Sequence, residues 1–241
     1  GEDAERAYQA PFRAKRLGGL AVSAAILFGL YLSTLYDYLL FHTLVELFSI
    51  VVGCGIFIIA WNSRRLLDNN YLLFLGIAYL FVAFLDLIHT LAYKGMPIFQ
   101  GYGADLSTQL WIAARYVQSL SLLIAPFFLR RRLRSGMAFG AYSLLTVLVL
   151  ASLFLWPIFP SCFIEGSGLT PFKKISEYII SAILLAALAV LFGNRAEFDP
   201  DVFQWLSASI GITIVAELVF TFYVSVHGLS NMAVSYTHLT L

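Results

Sequence analysis

Long apolar stretches dominate the chain, and short polar segments that contain charge, proline or glycine separate them. A helix needs about 20 mainly apolar residues to cross a lipid bilayer. With this minimum length, the positions of the polar segments predict seven membrane-spanning helices. They cover Leu17–Tyr36, Thr43–Trp61, Tyr71–Tyr93, Thr108–Leu129, Met137–Trp156, Ile175–Phe192 and Val202–Val226.

The pattern favours helices over strands throughout these stretches. Backbone polar groups in lipid must be satisfied within the protein, and the alternation typical of barrel strands is absent. The connections between stretches are short, which leaves no room for a second, water-soluble domain. The sequence therefore predicts an all-α fold, a polytopic integral membrane helical bundle.

Composition supports this class and excludes others. Of 241 residues, 60% are hydrophobic and only 12% are charged, against about 25% charged in ordinary soluble domains. A free-standing soluble enzyme and a disordered chain are excluded on these grounds. The net charge of +1 gives no reason to expect a nucleic-acid partner. Cys54 and Cys162 have no metal or redox spacing and are expected to be unpaired.

Lys and Arg lie mostly on one side of the predicted membrane, which sets the orientation. Eleven fall in the connections of one side and three in those of the other, and Arg115 lies within a span. The richer side is expected to be cytoplasmic. The chain is therefore predicted to be a multi-pass protein of the inner membrane. Its N-terminus, with residues 1–16 as a lead-in, is expected to lie in the cytoplasm.

With the N-terminus in the cytoplasm, seven helices would leave the C-terminus outside the cell. This odd number of spans is unexpected. The segment AVSYTHLTL, Ala233–Leu241, resembles read-through into an adapter. Residues 232–241 are therefore predicted to be a non-native tail on a truncated chain.

Ionisable residues within the spans are the candidates for function, because charge at membrane depth is costly. With this orientation they all fall in the half of the bilayer that faces outward. The ligand-binding candidates are the ionisable residues together with Trp111, which lies one turn before Arg115 on the same face: His42, Glu46, Asp86, His89, Trp111, Arg115 and Glu217. Glu177 would open the sixth helix at the same depth. We expect these side chains to line an outward-facing pocket.

Charge balance gives this pocket a chemical constraint. Glu46, Asp86, Glu177 and Glu217 oppose Arg115 alone, which leaves an excess of negative charge. Such an excess requires protonated carboxylates, a charged histidine, or a bound cation or amine. The alternative is that the pairs only stabilise helix packing.

Metal binding is a further alternative, on ligand chemistry alone. His42, Glu46, Asp86 and His89 are residue types that bind zinc, copper or iron, and the two histidines suit a haem. Their spacing matches no metal motif such as HExxH, so no metal ligand is assigned and the cofactor is left unknown. Two outer loops, KGMPIFQGYGAD and PIFPSCFIEGSGLTPFKK, would either cover the pocket or merely turn the chain.

Several ordered motifs resemble one family of sensors. The runs HTLVELFSIVV, LWIAARYVQSLSLLIAPFF, CFIEGSGLTPFKKISEYII and ELVFTFYVSVHGLSN are similar to the third family of membrane-associated sensor domains, the MASE type. The resemblance covers residues 17–231. It implies an eight-helix sensor, here lacking its last helix, in front of a cytoplasmic histidine kinase or diguanylate cyclase module. It implies no binding residues.

These observations together predict a membrane-embedded input domain without a catalytic site of its own. Its expected partners are membrane lipid, an unknown small ligand from outside the cell or within the membrane, and a C-terminal signalling module. A homodimer is left open. The alternatives are a transporter or channel, which the lack of charge in the inner half disfavours, and a metal- or haem-binding redox protein.

Overall fold

A computed structural model describes residue 25 and residues 28–65 and 70–218. The chain divides into two compact units, Gly1–Phe48 and Ser49–Leu241. In the first unit, residues 28–36 form helix α1, and α2 begins at Tyr38. Asp37 separates the two helices, and its carboxylate accepts a hydrogen bond from the Leu40 amide at 3.0 Å. Because this side chain caps the helix, α2 starts five residues earlier than predicted.

The second unit contains the remainder of α2 and all the other described helices. Their bounds are α2 Tyr38–Ser63, α3 Tyr71–Leu91, α4 Asp105–Ile124, α5 Ser135–Phe154, α6 Pro171–Gly193 and α7 Pro200–Leu218. A 3₁₀ turn, Ala125–Phe128, extends α4. Each of α2 to α7 is long and apolar enough to cross a membrane. The predicted all-α polytopic membrane bundle is confirmed.

Parts of the sequence-based prediction lie outside the described residues. Most of the predicted first span falls there, as do the lead-in at residues 1–16 and the tail at residues 232–241. Their assignments stay predictions.

Helix α6 begins four residues before its predicted start at Ile175. Thr170 is the N-cap, and its hydroxyl accepts a hydrogen bond from the Lys173 amide at 3.2 Å. Pro171 follows at the first helical position, where its fixed φ and missing N–H cost nothing. The earlier start moves Lys173 from an outer loop into the first turn of a membrane-spanning helix.

Helix α4 lies at the centre of the second unit, where it packs against α3 and α6, and α5 packs against α3. Glycines allow α2 to approach α3 closely. A Cβ at Gly76 would lie 2.6 Å from the Ala60 Cβ, and a Cβ at Gly53 would lie 3.1 Å from the Ala83 Cβ. Gly53 therefore lies at a close approach of the two helices. Gly55 faces open space, since nothing lies within 4 Å of its added Cβ.

The loop before α6 contains a short hairpin that the hydrophobic pattern did not predict. Phe163–Ile164 pairs antiparallel with Gly168–Leu169. Gly166 and Gly168 have φ of 82° and 81°, a backbone conformation that glycine adopts without a steric penalty. We call the end of the second unit formed by residues 92–104 and 155–170 the hairpin end. The opposite end, which carries Arg130–Arg134 and Arg195, is the arginine end.

Candidate functional site

An ion pair between α3 and α4 forms the centre of the candidate site. Arg115 Nη2 lies 2.8 Å from each carboxylate oxygen of Asp86. The two side chains are only 13% and 5% exposed. Two neighbours on α4 also hold the guanidinium: Gln118 accepts a hydrogen bond from it, and the Trp111 ring lies beneath it at 4.6 Å. A charge-assisted pair of this geometry fixes α3 against α4.

His89 lies on α3 three residues after Asp86 and is also buried. Its Nδ1 lies 2.7 Å from the carbonyl oxygen of Ser107 on α4. A carbonyl can only accept, so Nδ1 carries a proton and donates it to Ser107. The imidazole is 5.5 Å from the Trp111 ring between centroids. Four of the predicted site residues, Asp86, His89, Trp111 and Arg115, therefore form one cluster.

A second ion pair lies on α6 and includes a residue that the sequence prediction left outside the membrane. Lys173 and Glu177 are one helical turn apart, pair with each other, and are 0% and 1% exposed. The Thr-Pro dipeptide before Lys173 is the sequence signal that would have placed it inside the helix.

Glu217 joins the same region from α7. Its side chain is buried, and it interacts electrostatically with Arg115 and Lys173. The predicted imbalance of four carboxylates against one cation is therefore wrong in detail. Among the residues of the second unit that the structure describes, Asp86, Glu177 and Glu217 oppose two buried cations, because Lys173 is in the interior.

The remaining predicted residues, His42 and Glu46, belong to the first unit. They lie one turn apart on α2, as their spacing predicted. His42 stacks on the Tyr38 ring at 6.5 Å between centroids, and Glu46 is buried.

The two loops of the hairpin end are tied to each other. The Asp105 carboxylate at the start of α4 accepts hydrogen bonds from the amides of Cys162 and Phe163 at 2.7 and 2.8 Å. The Gln109 side chain donates to two carbonyls of the same loop, those of Phe159 and Pro160. The loop before α6 is thus anchored on α4 rather than only turning the chain.

Cys162 is protected by this arrangement. Its side chain is buried beneath the loop and forms no disulfide. Burial, with a smaller contribution from the Asp105 carboxylate, raises the pKa of the Cys162 thiol to about 12. The prediction that both cysteines are unpaired is confirmed, since Cys54 is free as well.

Neutral polar side chains continue from the charged cluster toward the arginine end. Gln118 Nε2 lies 3.4 Å from the Tyr79 hydroxyl, and the Ser121 hydroxyl lies 2.6 Å from that of Tyr142. The sequence prediction considered the ionisable groups and Trp111, and it missed these residues. Gln118 could have been found from its position on the stripe that contains Trp111 and Arg115.

A bundle of apolar helices that encloses buried ion pairs is a polytopic membrane domain with a polar interior. The sequence comparison identifies the family within this class: residues 33–239 match the membrane-associated sensor domain family MASE3. The chain belongs to this family, which confirms the resemblance noted in its motifs. It is therefore a multi-pass membrane protein and a sensor domain. No curated protein and no solved structure matches the chain.

Proposed function

We propose that this chain is the input domain of a bacterial or archaeal signalling protein, such as a histidine kinase or diguanylate cyclase, and binds a small ligand from outside the cell or within the membrane. The observation that carries the proposal is the charged cluster on α3, α4, α6 and α7. Charge at membrane depth is retained mainly where it serves function. The cluster lies on four helices, so a ligand that prefers one packing of them would shift their equilibrium.

One side chain of the cluster indicates what the ligand carries. The indole Nε1 of Trp111 is buried and has no hydrogen-bond acceptor among the residues that the structure describes. A buried donor without an acceptor is costly, and a ligand that brings an acceptor removes that cost. The ligand is therefore expected to present a carbonyl, carboxylate or ether oxygen near Trp111.

Orientation follows from the arginine end. Arg131, Arg132 and Arg134 are exposed there, as is Arg130, whose pKa is raised by its hydrogen bond to Glu197. Basic residues in short connections favour the cytoplasmic side. We therefore place the arginine end and the N-terminus on the cytoplasmic side of the inner membrane. The hairpin end and the candidate site then face outward. An output module would follow on the cytoplasmic side, after the eighth helix that the family resemblance implies.

The test joins residues 1–231 to a diguanylate cyclase module through an added membrane-spanning helix that returns the chain to the cytoplasm, and measures cyclic dinucleotide in cells. Trp111→Phe removes the indole N–H and Arg115→Gln removes the central cation. Both variants should change the level of cyclic dinucleotide, or the change in that level when fractions of growth medium are added. Glu165→Gln is the matched control, because Glu165 is exposed and pairs with Lys94 at the hairpin end, away from the charged cluster. Unchanged output in both cluster variants would refute the proposal.

A transporter is the second candidate. The observation in its favour is the row of neutral polar groups, Gln118, Tyr79, Ser121 and Tyr142, which extends beyond the last charge toward the arginine end. Polar groups at this depth suit a pathway for a small molecule or ion. Measurement of flux into proteoliposomes by the purified chain distinguishes transport from sensing alone.

Metal or haem binding is a third candidate, and the hydrogen bond of His89 supports it. Metal-bound histidines generally donate their other ring N–H to a carbonyl or carboxylate, as His89 Nδ1 does to Ser107. Metal analysis and an absorbance spectrum of the purified protein test this candidate.

A further inference from the structure

The connection between α4 and α5 contains a short basic segment, residues 130–134, at the arginine end. Its sequence is RRRLR, and all four arginine side chains are exposed. The fifth side chain, that of Leu133, is half-buried and packs against two apolar clusters of the bundle. The segment therefore has an apolar anchor on its inner face and guanidinium groups on its outer face.

Backbone hydrogen bonds fix the position of this segment. The amide of Asn70, the N-cap residue of α3, donates to the Phe128 carbonyl at 3.2 Å, and its side-chain Nδ2 donates to the Arg131 carbonyl at 3.3 Å. At the other end, the Arg134 carbonyl accepts a hydrogen bond from the Ala138 amide of α5 at 3.1 Å. Because the starts of α3 and α5 both hold the backbone, the arginines project from a fixed base.

Three of the four arginines form no ion pair with any residue that the structure describes. Arg130 pairs with Glu197. Arg131, Arg132 and Arg134 have no carboxylate partner in the described part of the chain. These three cations therefore remain open to a partner from outside the chain.

The surrounding charge has the same sign. Trp61, near the end of α2, packs edge to face on Phe139 of α5, which brings the two arginines that follow α2 to this end. The Asp199 carboxylate is engaged at the start of α7, where it accepts a hydrogen bond from the Asp201 amide at 2.9 Å. The described residues of the arginine end comprise seven arginines and three acids: Arg64, Arg65, Arg130, Arg131, Arg132, Arg134 and Arg195, against Glu197, Asp199 and Asp201.

Exposed apolar side chains flank the basic segment. Phe127 precedes it and Met137 follows it, and they are 60% and 65% exposed. Arg134 Nη1 lies 3.9 Å from the Met137 sulfur, so a cation and an apolar side chain of this surface are in contact. The surface thus offers apolar contacts directly beside cations, as expected where the end of a membrane-spanning helix meets the headgroup region.

This combination indicates the class of partner. A soluble anion would neutralise the arginines but leave Phe127 and Met137 exposed. An anionic phospholipid satisfies both, because its phosphate accepts hydrogen bonds from guanidinium groups and its acyl chains cover apolar side chains. Basic clusters next to membrane-spanning helices attract anionic lipids for this reason.

We propose that Arg131, Arg132 and Arg134 form a binding surface for the phosphate group of an anionic phospholipid, whose acyl chains lie against Phe127 and Met137. The surface uses no residue of the charged cluster. It is also independent of which side of the membrane the arginine end faces, since both leaflets present phospholipid headgroups.

The experiment counts lipids bound to the full chain by native mass spectrometry. Phosphatidylglycerol and phosphatidylcholine with the same acyl chains are added at equal concentration to the protein in a neutral detergent. The parent chain is compared with the triple variant Arg131→Gln, Arg132→Gln, Arg134→Gln and with the corresponding triple lysine variant. Lys94→Gln is the control, because it removes an exposed cation at the hairpin end.

The parent chain should retain phosphatidylglycerol in preference to phosphatidylcholine. Each arginine beside an anionic headgroup contributes about fivefold to binding, so the triple glutamine variant should lose the preference. The triple lysine variant keeps the charge and should keep most of the preference, and Lys94→Gln should behave as the parent chain. Salt at about 1 M should weaken the preference in the parent chain by screening.

Equal retention of the two lipids by the parent chain would overturn the inference, as would a preference that survives in the triple glutamine variant. Loss of the preference in the triple lysine variant would show that the arginines act on the structure of the segment and not through charge. Displacement of phosphatidylglycerol by glycerol 3-phosphate or by an oligoglutamate peptide at equal concentration would assign the surface to a soluble phosphate or an acidic protein segment instead. None of these outcomes bears on ligand binding at Trp111 and Arg115, which the output assay tests separately.

Discussion

The buried pair Asp86–Arg115 and the exposed pair Lys94–Glu165 allow a matched comparison of ionic interactions within one unit. Both are ion pairs of short distance, at 2.8 and 3.0 Å. They differ in environment, since the first pair is 5% to 13% exposed and each member of the second is 66% exposed. Asp86→Asn and Glu165→Gln each remove one negative charge while nearly preserving shape.

The expected costs follow from this difference. Removing one member of a buried pair leaves the other charge in a nonpolar environment, which costs about 3 to 5 kcal/mol. We expect about 3 kcal/mol for Asp86→Asn, because Arg115 keeps its contacts with Gln118 and Trp111. An exposed pair is screened by water and contributes about 0 to 1 kcal/mol. The same loss of charge at Glu165 should therefore cost less than about 1 kcal/mol.

Steric trapping in lipid bicelles reports the free energy of unfolding directly and is the measurement of choice. The double variant Asp86→Asn with Arg115→Gln should be less destabilised than the sum of the two single variants, because neither charge is then left alone. Equal destabilisation by Asp86→Asn and Glu165→Gln would refute the reasoning. Strict additivity in the double variant would show that the two side chains do not act as a pair.

Three further predictions follow from packing and from the loops of the hairpin end. Gly76→Ala should destabilise the protein by about 1 to 3 kcal/mol, since its Cβ would lie 2.6 Å from that of Ala60; Gly55→Ala, which meets nothing, should be neutral or stabilising in the same unfolding measurement. In Cys54→Ser protein, Cys162 should react with iodoacetamide more slowly than an ordinary thiol at pH 8 and faster as pH rises, because its pKa is raised to about 12. Asp105→Asn should accelerate that labelling by loosening the loop and removing a charge that raises the thiol pKa.

Each of these expectations has a clear contrary result. Equal stability of the two alanine variants would show that α2 and α3 do not meet at Gly76. Labelling of Cys162 at the rate of a free thiol, or labelling unaffected by Asp105→Asn, would show that the loop does not protect it.

The amino-acid sequence by itself determined the class of protein and the number and approximate positions of its described spans. It could do so because an apolar stretch of sufficient length has few stable alternatives in a bilayer. Ordered motifs determined the family. The sequence also identified the ionisable groups at membrane depth, because burial of charge is exceptional enough that residue type and position suffice.

Only the tertiary structure decided which of these groups meet. Asp86 and Arg115 are 29 residues apart in the chain, and their contact depends on how α3 packs against α4. The interior position of Lys173 depends on a cap at Thr170 that moves the start of α6 by one turn, a local effect weaker than the hydrophobic pattern that predicted the spans. Hydrophobicity is nearly uniform around a membrane helix and carries little information about which face meets which, so partner choice rests on side-chain shape and polar pairing that appear only when the helices are assembled.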